Sequence, residues 1–322
     1  ATPGAHCFAA FLRRAIICAF IASRLNSAPC IVSSPINAPK HPASDLPPSP
    51  VVASRPERSE VEGAATVDGP GVGAAYDALA AAYDSQLAPA QWIRDRLWER
   101  FDLLFPSGSR VLDVTAGTGL DAIHLAQRGV RVTACDISPN MLAELHSKNP
   151  SIETRLANFN TLEFEVWNLE FGVRGLGFDG VISTFAGLNT SPDLRPFAAS
   201  AAQLLRPGGL LFIHVLNRWP LLDMARQLAR GRWRELRQTL ASPQRRIKLG
   251  ETAVPHYLFS PLALYRDAFA AHFRWSRLSG QGFVRPVNAK WGASLDPLDK
   301  LLGARFPFNS LGSFFSLELV RR

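Results

Sequence analysis

The sequence has few cysteines and no long apolar run, and both absences narrow the class of protein. Only four of the 322 residues are cysteine: Cys7, Cys18 and Cys30 lie near the start, and Cys135 stands alone in the body. A disulfide framework needs more cysteines at more regular spacing, so the body is typical of a reducing compartment. No stretch reaches the roughly 18 uncharged apolar residues that a membrane-spanning helix needs.

Metal-ligand clusters are also lacking, because the seven histidines are scattered along the chain. Hydrophobic residues make up 47% of the sequence and charged residues 19%, which suits a globular protein with a sizeable core. This composition excludes a chain that is disordered throughout, a coiled coil and a collagen-like fibre.

Positive charge is concentrated in the last third of the chain. The formal net charge is +8. Residues 1–70 carry 6 Lys/Arg and 5 Asp/Glu, residues 71–209 carry 11 and 15, and residues 210–322 carry 18 and 7. The three net charges are therefore +1, −4 and +11, and the excess belongs to the C-terminal third. This placement does not indicate a nucleic-acid-binding protein.

Residues 1–72 are expected to be a disordered or non-native tail. Arg13-Arg14 followed by the apolar run 15–22 mimics a signal peptide, but that run is short and Arg24 follows it soon. Residues 34–71 are rich in Ser, Pro and Ala and have no helix or strand period, which favours disorder. An export signal or anchor is the alternative. The folded body is expected over 73–322, in the cytoplasm.

Strand and helix patterns alternate in the body. Strands are predicted over 110–114, 130–135, 152–156, 178–183 and 210–215, the first and last of them apolar, and helices over 92–104, 120–128, 139–147 and 194–205. A helix over 260–271 and closing strands over 273–278 and 314–320 follow. Such alternation predicts a parallel sheet covered by helices on both faces, with ligands bound at the carboxyl ends of its strands.

The sharpest motif is the segment Val111–Gly119 (VLDVTAGTG), in which a strand runs into a glycine-rich turn before a helix. Gly117 and Gly119 allow a ligand to approach the backbone, and the helix start offers free N–H groups. Asp136 ends the next strand, where a carboxylate can accept hydrogen bonds from both hydroxyls of a ribose. A dinucleotide site, an S-adenosylmethionine site and simple helix capping by the acids are the alternatives.

Residues 74–220 resemble the class I S-adenosylmethionine-dependent methyltransferases of the bacterial small-molecule type. The segment Asp113–Gly119 is similar to the family's Asp-x-Gly-x-Gly-x-Gly motif, with Thr115 where the first glycine is usual. Asp136-Ile-Ser-Pro-Asn-Met141 is similar to its second motif, and 205–210 (LRPGGL) to the turn before its fifth strand. The segment 76–84 resembles the helical entry that closes over the cofactor.

The resemblance implies an α/β fold: a Rossmann-like, doubly wound, mostly parallel seven-stranded sheet with an antiparallel last strand and a helical lid insertion. It implies S-adenosylmethionine as the cofactor of a methyltransferase domain over 73–322. Asn158 and Phe159 stand where the family usually has an acid near adenine. The implied cofactor-binding residues are Tyr83, Asp113, Thr115, Ala116, Gly117, Thr118, Gly119, Asp136, Ile137, Met141, Asn158, Phe159 and Thr184.

Candidate residues for the acceptor follow the fourth and fifth predicted strands or lie in a later segment (HYLFSP) expected to return to the sheet. They are Phe185, Asn189, Asn217, Arg218, His256 and Tyr257. His214 is interpreted as a core residue. No catalytic residue is assigned, because methyl transfer needs a general base only if the acceptor must first lose a proton.

Two acceptor classes are disfavoured by motif. Residues 183–186 (STFA) lack the Asn/Asp-Pro-Pro-aromatic motif of amino-methylating nucleic-acid and glutamine enzymes. Cys135 lies under the expected ribose site, which is the wrong place for the nucleophile of a cytosine carbon-5 methyltransferase.

The segment 221–240 is predicted to be one basic amphipathic helix within a lid over 220–250. It is interpreted as a lid with a solvated basic face; a membrane-surface helix covering 221–248 and a surface for acidic substrates or nucleic acid are alternatives.

The sequence thus predicts methyl transfer from S-adenosylmethionine to a small-molecule or lipid-like acceptor by in-line displacement, with no partner protein evident. An NAD(P)-dependent oxidoreductase on a similar sheet and a non-catalytic S-adenosylmethionine-binding protein remain alternatives.

Overall fold

The structure is a computed structural model that describes residues 71–162, 177–287 and 290–322. The predicted tail lies outside the described residues except for residues 71 and 72. The first helix begins at Val72, which is 6% exposed and packs against Ala75 and Val254. The folded body therefore includes Val72, one residue before the predicted boundary.

Nine strands form a seven-stranded sheet and a separate two-stranded sheet in the described residues. Their bounds are β1 Arg110–Asp113, β2 Arg131–Asp136, β3 Glu153–Leu156, β4 Phe178–Ser183, β5 Leu205–Leu216, β6 Gln244–Leu249, β7 Thr252–Tyr257, β8 Phe273–Gln281 and β9 Phe314–Arg321.

The α-helices pack on the faces of the large sheet or follow β5. Their bounds are α1 Val72–Leu87, α2 Gln91–Leu104, α3 Leu120–Gln127, α4 Pro139–Lys148, α5 Arg195–Leu204, α6 Leu221–Ala229, α7 Trp233–Ala241, α8 Pro261–Leu264 and α9 Asp296–Gly303. A π-helical turn, Tyr265–Phe269, continues α8, and short 3₁₀ turns cover Phe159–Thr161 and Gly187–Thr190.

The large sheet has the strand order β3-β2-β1-β4-β5-β9-β8. Strands β1 to β5 pair in parallel, whereas β9 pairs antiparallel with both β5 and β8. The predicted doubly wound, mostly parallel sheet is therefore confirmed. Because Asp113 pairs with Ala134 in parallel register, Asp113 and Asp136 lie at the same edge of the sheet.

Hydrophobic cores lie on both faces of the sheet. Alternate residues of one strand serve the two cores: Val111 packs with Phe101, while Leu112 packs in the cluster that contains Phe197 and Phe315. All five side chains are almost completely buried. Burial on both faces also explains why the second half of β5 (LLFIHVL) appears in the sequence as a nearly continuous apolar run.

The basic segment after β5 differs from its prediction. It forms two helices, α6 and α7, rather than one, because the chain turns at Gly231 with φ of +65°. The residues that follow form the antiparallel hairpin β6–β7, in which Gln244 pairs with Tyr257. The segment 256–261 (HYLFSP) is predicted to return to the main sheet. In the described residues this return is limited to Phe259, which forms a β-bridge with Asn217 directly after β5.

Within the described ranges, no helix combines the length and the apolar character that crossing a bilayer requires.

Candidate functional site

The glycine-rich turn after β1 is tied to the neighbouring strand and to α4. The N–H of Ala116 donates to the carbonyl of Cys135 at 2.8 Å. Gly119 has φ of +83°, and a Cβ at this position would lie 2.3 Å from Cγ of buried Leu145. Position 119 therefore requires glycine both for its conformation and for the close packing of α4 on the turn.

Asp136 joins this turn to the end of β2. Its Oδ2 accepts a hydrogen bond from the N–H of Gly117 at 2.8 Å, and its Oδ1 accepts one from the N–H of Ser138 at 3.0 Å. Burial raises the pKa of Asp136, whereas the N–H groups of Ser138 and Gly117 act in the opposite direction. The side chain borders a pocket at the carboxyl ends of the strands.

Helix α1 covers this pocket. Its Asp77 accepts a hydrogen bond from the hydroxyl of Ser138 at 2.5 Å, and Asp84 accepts one from the hydroxyl of Thr118 at 2.5 Å. Lys148 of α4 forms an ion pair with Asp84 at 2.6 Å. These contacts fix α1 over the glycine turn.

Two tyrosines of α1 face the pocket. The rings of Tyr76 and Tyr83 meet edge to face at 6.4 Å, and a Cβ on Gly117 would lie 3.5 Å from Cε1 of Tyr83. Burial raises the pKa of Tyr83 to about 12, and burial together with the nearby Tyr83 raises the pKa of Tyr76 further. Burial thus opposes ionisation of both hydroxyls, which are protonated at neutral pH as in any ordinary tyrosine.

Three apolar side chains and one amide form a second wall beside Asp136, in addition to the cover provided by α1. Ile137, Met141 and Phe159 line the pocket beside Asp136. Asn158 also lines it, and its side-chain oxygen accepts a hydrogen bond from the N–H of Asn160 at 2.9 Å.

The loop after β4 forms the third wall through Thr184, Phe185, Gly187 and Thr190. The hydroxyl of Thr184 donates to Asp121 at 2.5 Å.

Asp121 lies behind this wall, at the centre of a buried polar cluster. It also accepts a hydrogen bond from the indole of Trp98 at 2.8 Å and pairs with Arg94 at 2.7 Å. Burial alone would raise the pKa of Asp121, but Arg94 and the hydrogen bonds hold it below its ordinary value. The cluster therefore keeps a charged pair directly behind Thr184.

Asp113, predicted to contact the cofactor, lies beneath the turn and not among the pocket-lining residues. It is 1% exposed and accepts a hydrogen bond from the N–H of Thr115 at 3.3 Å. Burial and the nearby Asp121 raise its pKa well above the ordinary value. Its position supports the turn from below.

The remaining predicted cofactor residues divide by position. Ala116, Thr118 and Gly119 shape the turn and its contacts without lining the pocket. The predicted residues that the structure brings together around the pocket are Tyr83, Thr115, Gly117, Asp136, Ile137, Met141, Asn158, Phe159, Thr184 and, from the acceptor set, Phe185.

The other predicted acceptor residues lie outside the pocket lining. Asn189 and Asn217 are almost completely buried and hold backbone groups: the amide of Asn189 bridges Leu216 and Tyr257, and that of Asn217 donates to the carbonyls of Ser310 and Gly312. Each side chain therefore has a structural task.

The acceptor candidates nearer the C-terminus belong to the segment after β5. Arg218 donates to the carbonyls of Thr239 and Leu240 at the end of α7. His256 and Tyr257 are part of the β6–β7 hairpin, and His256 is 3% exposed.

Sequence reasoning missed several pocket residues. They are Val72, Tyr76, Val114, Ala157, Gly187 and Thr190. Tyr76 belongs to the motif that resembles the family's helical entry, and its spacing of seven residues, two helical turns, from Tyr83 is the signal that could have found it. Val72 fell within the predicted tail, and nothing in the sequence marked Gly187 or Thr190.

Among the described residues, no group of three or more His, Cys, Asp or Glu side chains is arranged to hold a metal ion.

Comparison with known proteins gives the same picture of the central region. A family model described as a methyltransferase domain matches residues 111–209. The chain is 30% identical over 141 residues to a demethylmenaquinone methyltransferase of Tropheryma whipplei, an alignment that covers 43% of this chain and 56% of the relative. It is 33% identical over 120 residues to a ubiquinone biosynthesis O-methyltransferase of Xanthomonas axonopodis, covering 36% and 47%. The chain thus spans about half the length of the curated relatives it matches.

A solved structure supports the fold. The chain resembles a protein from Listeria monocytogenes described as an S-adenosylmethionine-dependent methyltransferase, with a TM-score of 0.50 and 14% identity. The match covers 74% of this chain and 98% of that one. Residues 111–209 thus match a methyltransferase domain, and the fold resembles that of an S-adenosylmethionine-dependent methyltransferase.

Proposed function

We propose that this protein transfers a methyl group from S-adenosylmethionine to a small-molecule or lipid-like acceptor. The observation that carries the proposal is the hydrogen bond from the N–H of Gly117 to Asp136, which sets a carboxylate and an open glycine turn side by side at the pocket wall. S-adenosylmethionine, the cofactor of this family, supplies an electrophilic methyl group when it is bound.

The residues around the pocket fit such a cofactor. Asp136 offers a carboxylate that can accept hydrogen bonds from two neighbouring ribose hydroxyls. Ile137 and Met141 provide an apolar surface suited to one face of a purine, and Asn158 places a polar group at its rim. Gly117 leaves the space beside Tyr83 free of a Cβ atom.

The chain would contribute mainly by alignment and by exclusion of water. Helix α1 covers the pocket through Tyr76 and Tyr83, which present neutral hydroxyls and aromatic rings to it. Holding donor and acceptor in line lowers the barrier by fixing their relative orientation in advance. In this proposal the acceptor lies against the loop after β4, near Thr184 and Phe185.

The names of two relatives support a small-molecule acceptor, because one is a demethylmenaquinone methyltransferase and the other a ubiquinone biosynthesis O-methyltransferase. Phe185, Val72 and Val114 give the pocket an apolar component that suits such an acceptor. The methyl acceptor is therefore proposed to be a partly apolar small molecule or a lipid-like one.

The test is methyl transfer from S-adenosylmethionine with a radiolabelled methyl group to a panel of phenols, quinols and their isoprenylated forms. We expect labelled product with the unaltered protein and at least a tenfold loss with Asp136→Asn. Asp102→Asn is the matched control, because Asp102 is a surface carboxylate that pairs with His124 and Arg128. Equal transfer by Asp136→Asn and the unaltered protein would contradict the assignment. Cofactor binding without transfer to any acceptor would favour the non-catalytic alternative.

We further propose that residues 221–248 contact the surface of an anionic membrane. This segment, called the basic hairpin here, consists of α6, α7 and most of β6, and it differs from the β6–β7 hairpin. These residues contain eight basic and two acidic side chains. Trp233 is 59% exposed, and Leu228 and Leu240 are each 38% exposed beside exposed arginines such as Arg234 and Arg237. Exposed apolar side chains flanked by arginines are typical of interfacial helices.

Co-sedimentation with phosphatidylglycerol vesicles and with phosphatidylcholine vesicles tests this contact. We expect binding to the anionic vesicles alone, with a loss of at least fivefold in Trp233→Ser and in the pair Arg234→Glu and Arg237→Glu. Leu103→Ser serves as the control, since Leu103 is 75% exposed on α2, outside the basic hairpin. Equal binding by all variants would exclude the basic hairpin as the contact surface.

A further inference from the structure

The loop after β4 has an unusual backbone at the pocket wall. Phe185 has φ of +48° and Ala186 has φ of +66°, so two consecutive residues with a Cβ adopt the left-handed conformation. Such conformations are unfavourable for these residues and persist only where the surroundings enforce them.

His214, in β5, holds both of these residues. Its Nδ1 accepts a hydrogen bond from the N–H of Phe185 at 3.1 Å. Its backbone carbonyl accepts one from the N–H of Ala186, also at 3.1 Å. The N–H groups of the two left-handed residues are thus both bound by one residue of the neighbouring strand.

The His214 ring is fixed in position and in protonation state. It stacks on Phe314 with a centroid distance of 4.8 Å and meets Phe185 edge to face at 5.4 Å. The ring is completely buried, and burial lowers the pKa of His214 to about 3. A neutral ring that accepts at Nδ1 carries its proton at Nε2, and this buried atom has no hydrogen-bond partner among the described residues.

The held turn shapes the pocket. Phe185 lines it and packs against Arg94, whose Cζ lies 4.1 Å from the ring centroid. The N–H of Gly187 donates to the carbonyl of Thr184, and the hydroxyl of Thr190 donates to the carbonyl of Gly187. These bonds link the positions of Gly187 and Thr190 to the conformation of the turn. A change at the turn would therefore move the wall formed by Phe185, Gly187 and Thr190.

We propose that His214 is a positioning residue, whose Nδ1 holds Phe185 and Ala186 in the left-handed conformation and so sets the acceptor-side wall of the pocket. The proposal rests on the proposed function for the identity of that wall. It gives the histidine, which sequence analysis placed in the core, a task in arranging the site.

His214→Phe removes the acceptor atom while keeping an aromatic ring against Phe314. His214→Asn is the matched variant, because its side-chain oxygen can take the place of Nδ1. Hydrogen exchange measured residue by residue should show the Phe185 amide exchanging at least tenfold faster in His214→Phe and near the original rate in His214→Asn. An unchanged rate in a folded His214→Phe protein would overturn the proposal, whether or not an acceptor has been found.

With an acceptor in hand, His214→Phe should lower kcat/KM at least tenfold, mostly through KM, while the Kd for S-adenosylhomocysteine changes less than threefold. Adding Ala186→Gly to His214→Phe should recover part of this loss, since glycine adopts the left-handed conformation readily. If His214→Phe does not fold, His214→Asn and Ala186→Gly alone carry the test. Ala186→Pro, in which residue 186 cannot adopt the left-handed conformation, serves as the reference for a disrupted turn. If the Phe185 amide exchanged as fast in His214→Asn as in Ala186→Pro, the proposal would be overturned. Failure of the unaltered protein to bind S-adenosylhomocysteine would instead count against the proposed function.

Discussion

The backbone N–H of Gly117 lies 2.8 Å from Oδ2 of Asp136. This hydrogen bond joins the turn after β1 to the end of β2, so the glycine motif and the acid that follows it form one unit. The second carboxylate oxygen is held by the N–H of Ser138. Asp136 is therefore oriented before any ligand arrives.

Asp136→Ala should weaken binding of S-adenosylhomocysteine by roughly 1–3 kcal/mol, the cost of removing one partner from a buried hydrogen-bonded group. Isothermal titration calorimetry measures this change. Asp102→Ala, which alters a surface ion pair on α2, should leave the affinity within about twofold. An unchanged affinity in Asp136→Ala would show that the ribose site lies elsewhere.

Gly119→Ala should lower the free energy of unfolding by about 2–4 kcal/mol, since the new Cβ would lie 2.3 Å from Cγ of Leu145. Gly108→Ala is the control: Gly108 also has a left-handed φ, of +88°, but nothing lies within 4 Å of its Cβ position. That variant should lose only about 1 kcal/mol. Denaturant unfolding compares the two, and equal losses would exclude the contact with Leu145 as the cause.

Asn189→Ala should lower the free energy of unfolding by about 2–4 kcal/mol, because it leaves the N–H of Leu216 and the carbonyl of Tyr257 without their partner. Asn140→Ala, which alters an exposed asparagine, should cost no more than about 0.5 kcal/mol. An Asn189→Ala protein of full stability that fails only in acceptor binding would restore the role predicted from the sequence.

The buried His214 predicts a stability that depends on pH. Its pKa is about 3 in the folded protein against an ordinary 6.5, owing to burial, with Asp121 raising it and Arg94 lowering it. Below pH 6.5 His214 becomes protonated in the unfolded chain but stays neutral in the folded protein. The free energy of unfolding therefore falls as the pH is lowered toward 3.

The difference in unfolding free energy between the unaltered protein and His214→Phe isolates this effect, since groups common to both cancel. The unfolding free energy of the unaltered protein, relative to that of His214→Phe, should fall by up to about 1.4 kcal/mol for each pH unit as the pH is lowered from 6.5 to 3. Urea titrations at several pH values measure it. A difference that stays constant over this range would mean that His214 titrates normally.

Elements with a local signal could be predicted from the sequence. The bounds predicted for β4, Phe178–Ser183, agree with those observed, because the alternation of strand and helix patterns marks its place in the chain. Gly117 and Asp136 were identified as a pair because a strand, a glycine turn and an acid at the next strand end occur in one short segment. The structure adds the hydrogen bond that joins them.

Features that depend on distant contacts could not be predicted. The helical period of 221–240 continues across Gly231, so periodicity predicts one helix where the structure has α6, a turn at Gly231 and α7. Gly187 and Thr190 reach the pocket through the turn at Phe185, which His214 holds from 29 residues further along the chain. Asn189 appeared suited to a substrate because its bonds to Leu216 and Tyr257 form only on folding.

We propose above all that the pocket beside Asp136 binds S-adenosylmethionine. Calorimetric titration of the full chain with S-adenosylhomocysteine and, separately, with NAD⁺ and NADH tests it most directly. We expect saturable binding of S-adenosylhomocysteine that weakens in Asp136→Ala, and no binding of either nicotinamide nucleotide. Tight binding of NAD⁺ or NADH without binding of S-adenosylhomocysteine would contradict it and favour an oxidoreductase.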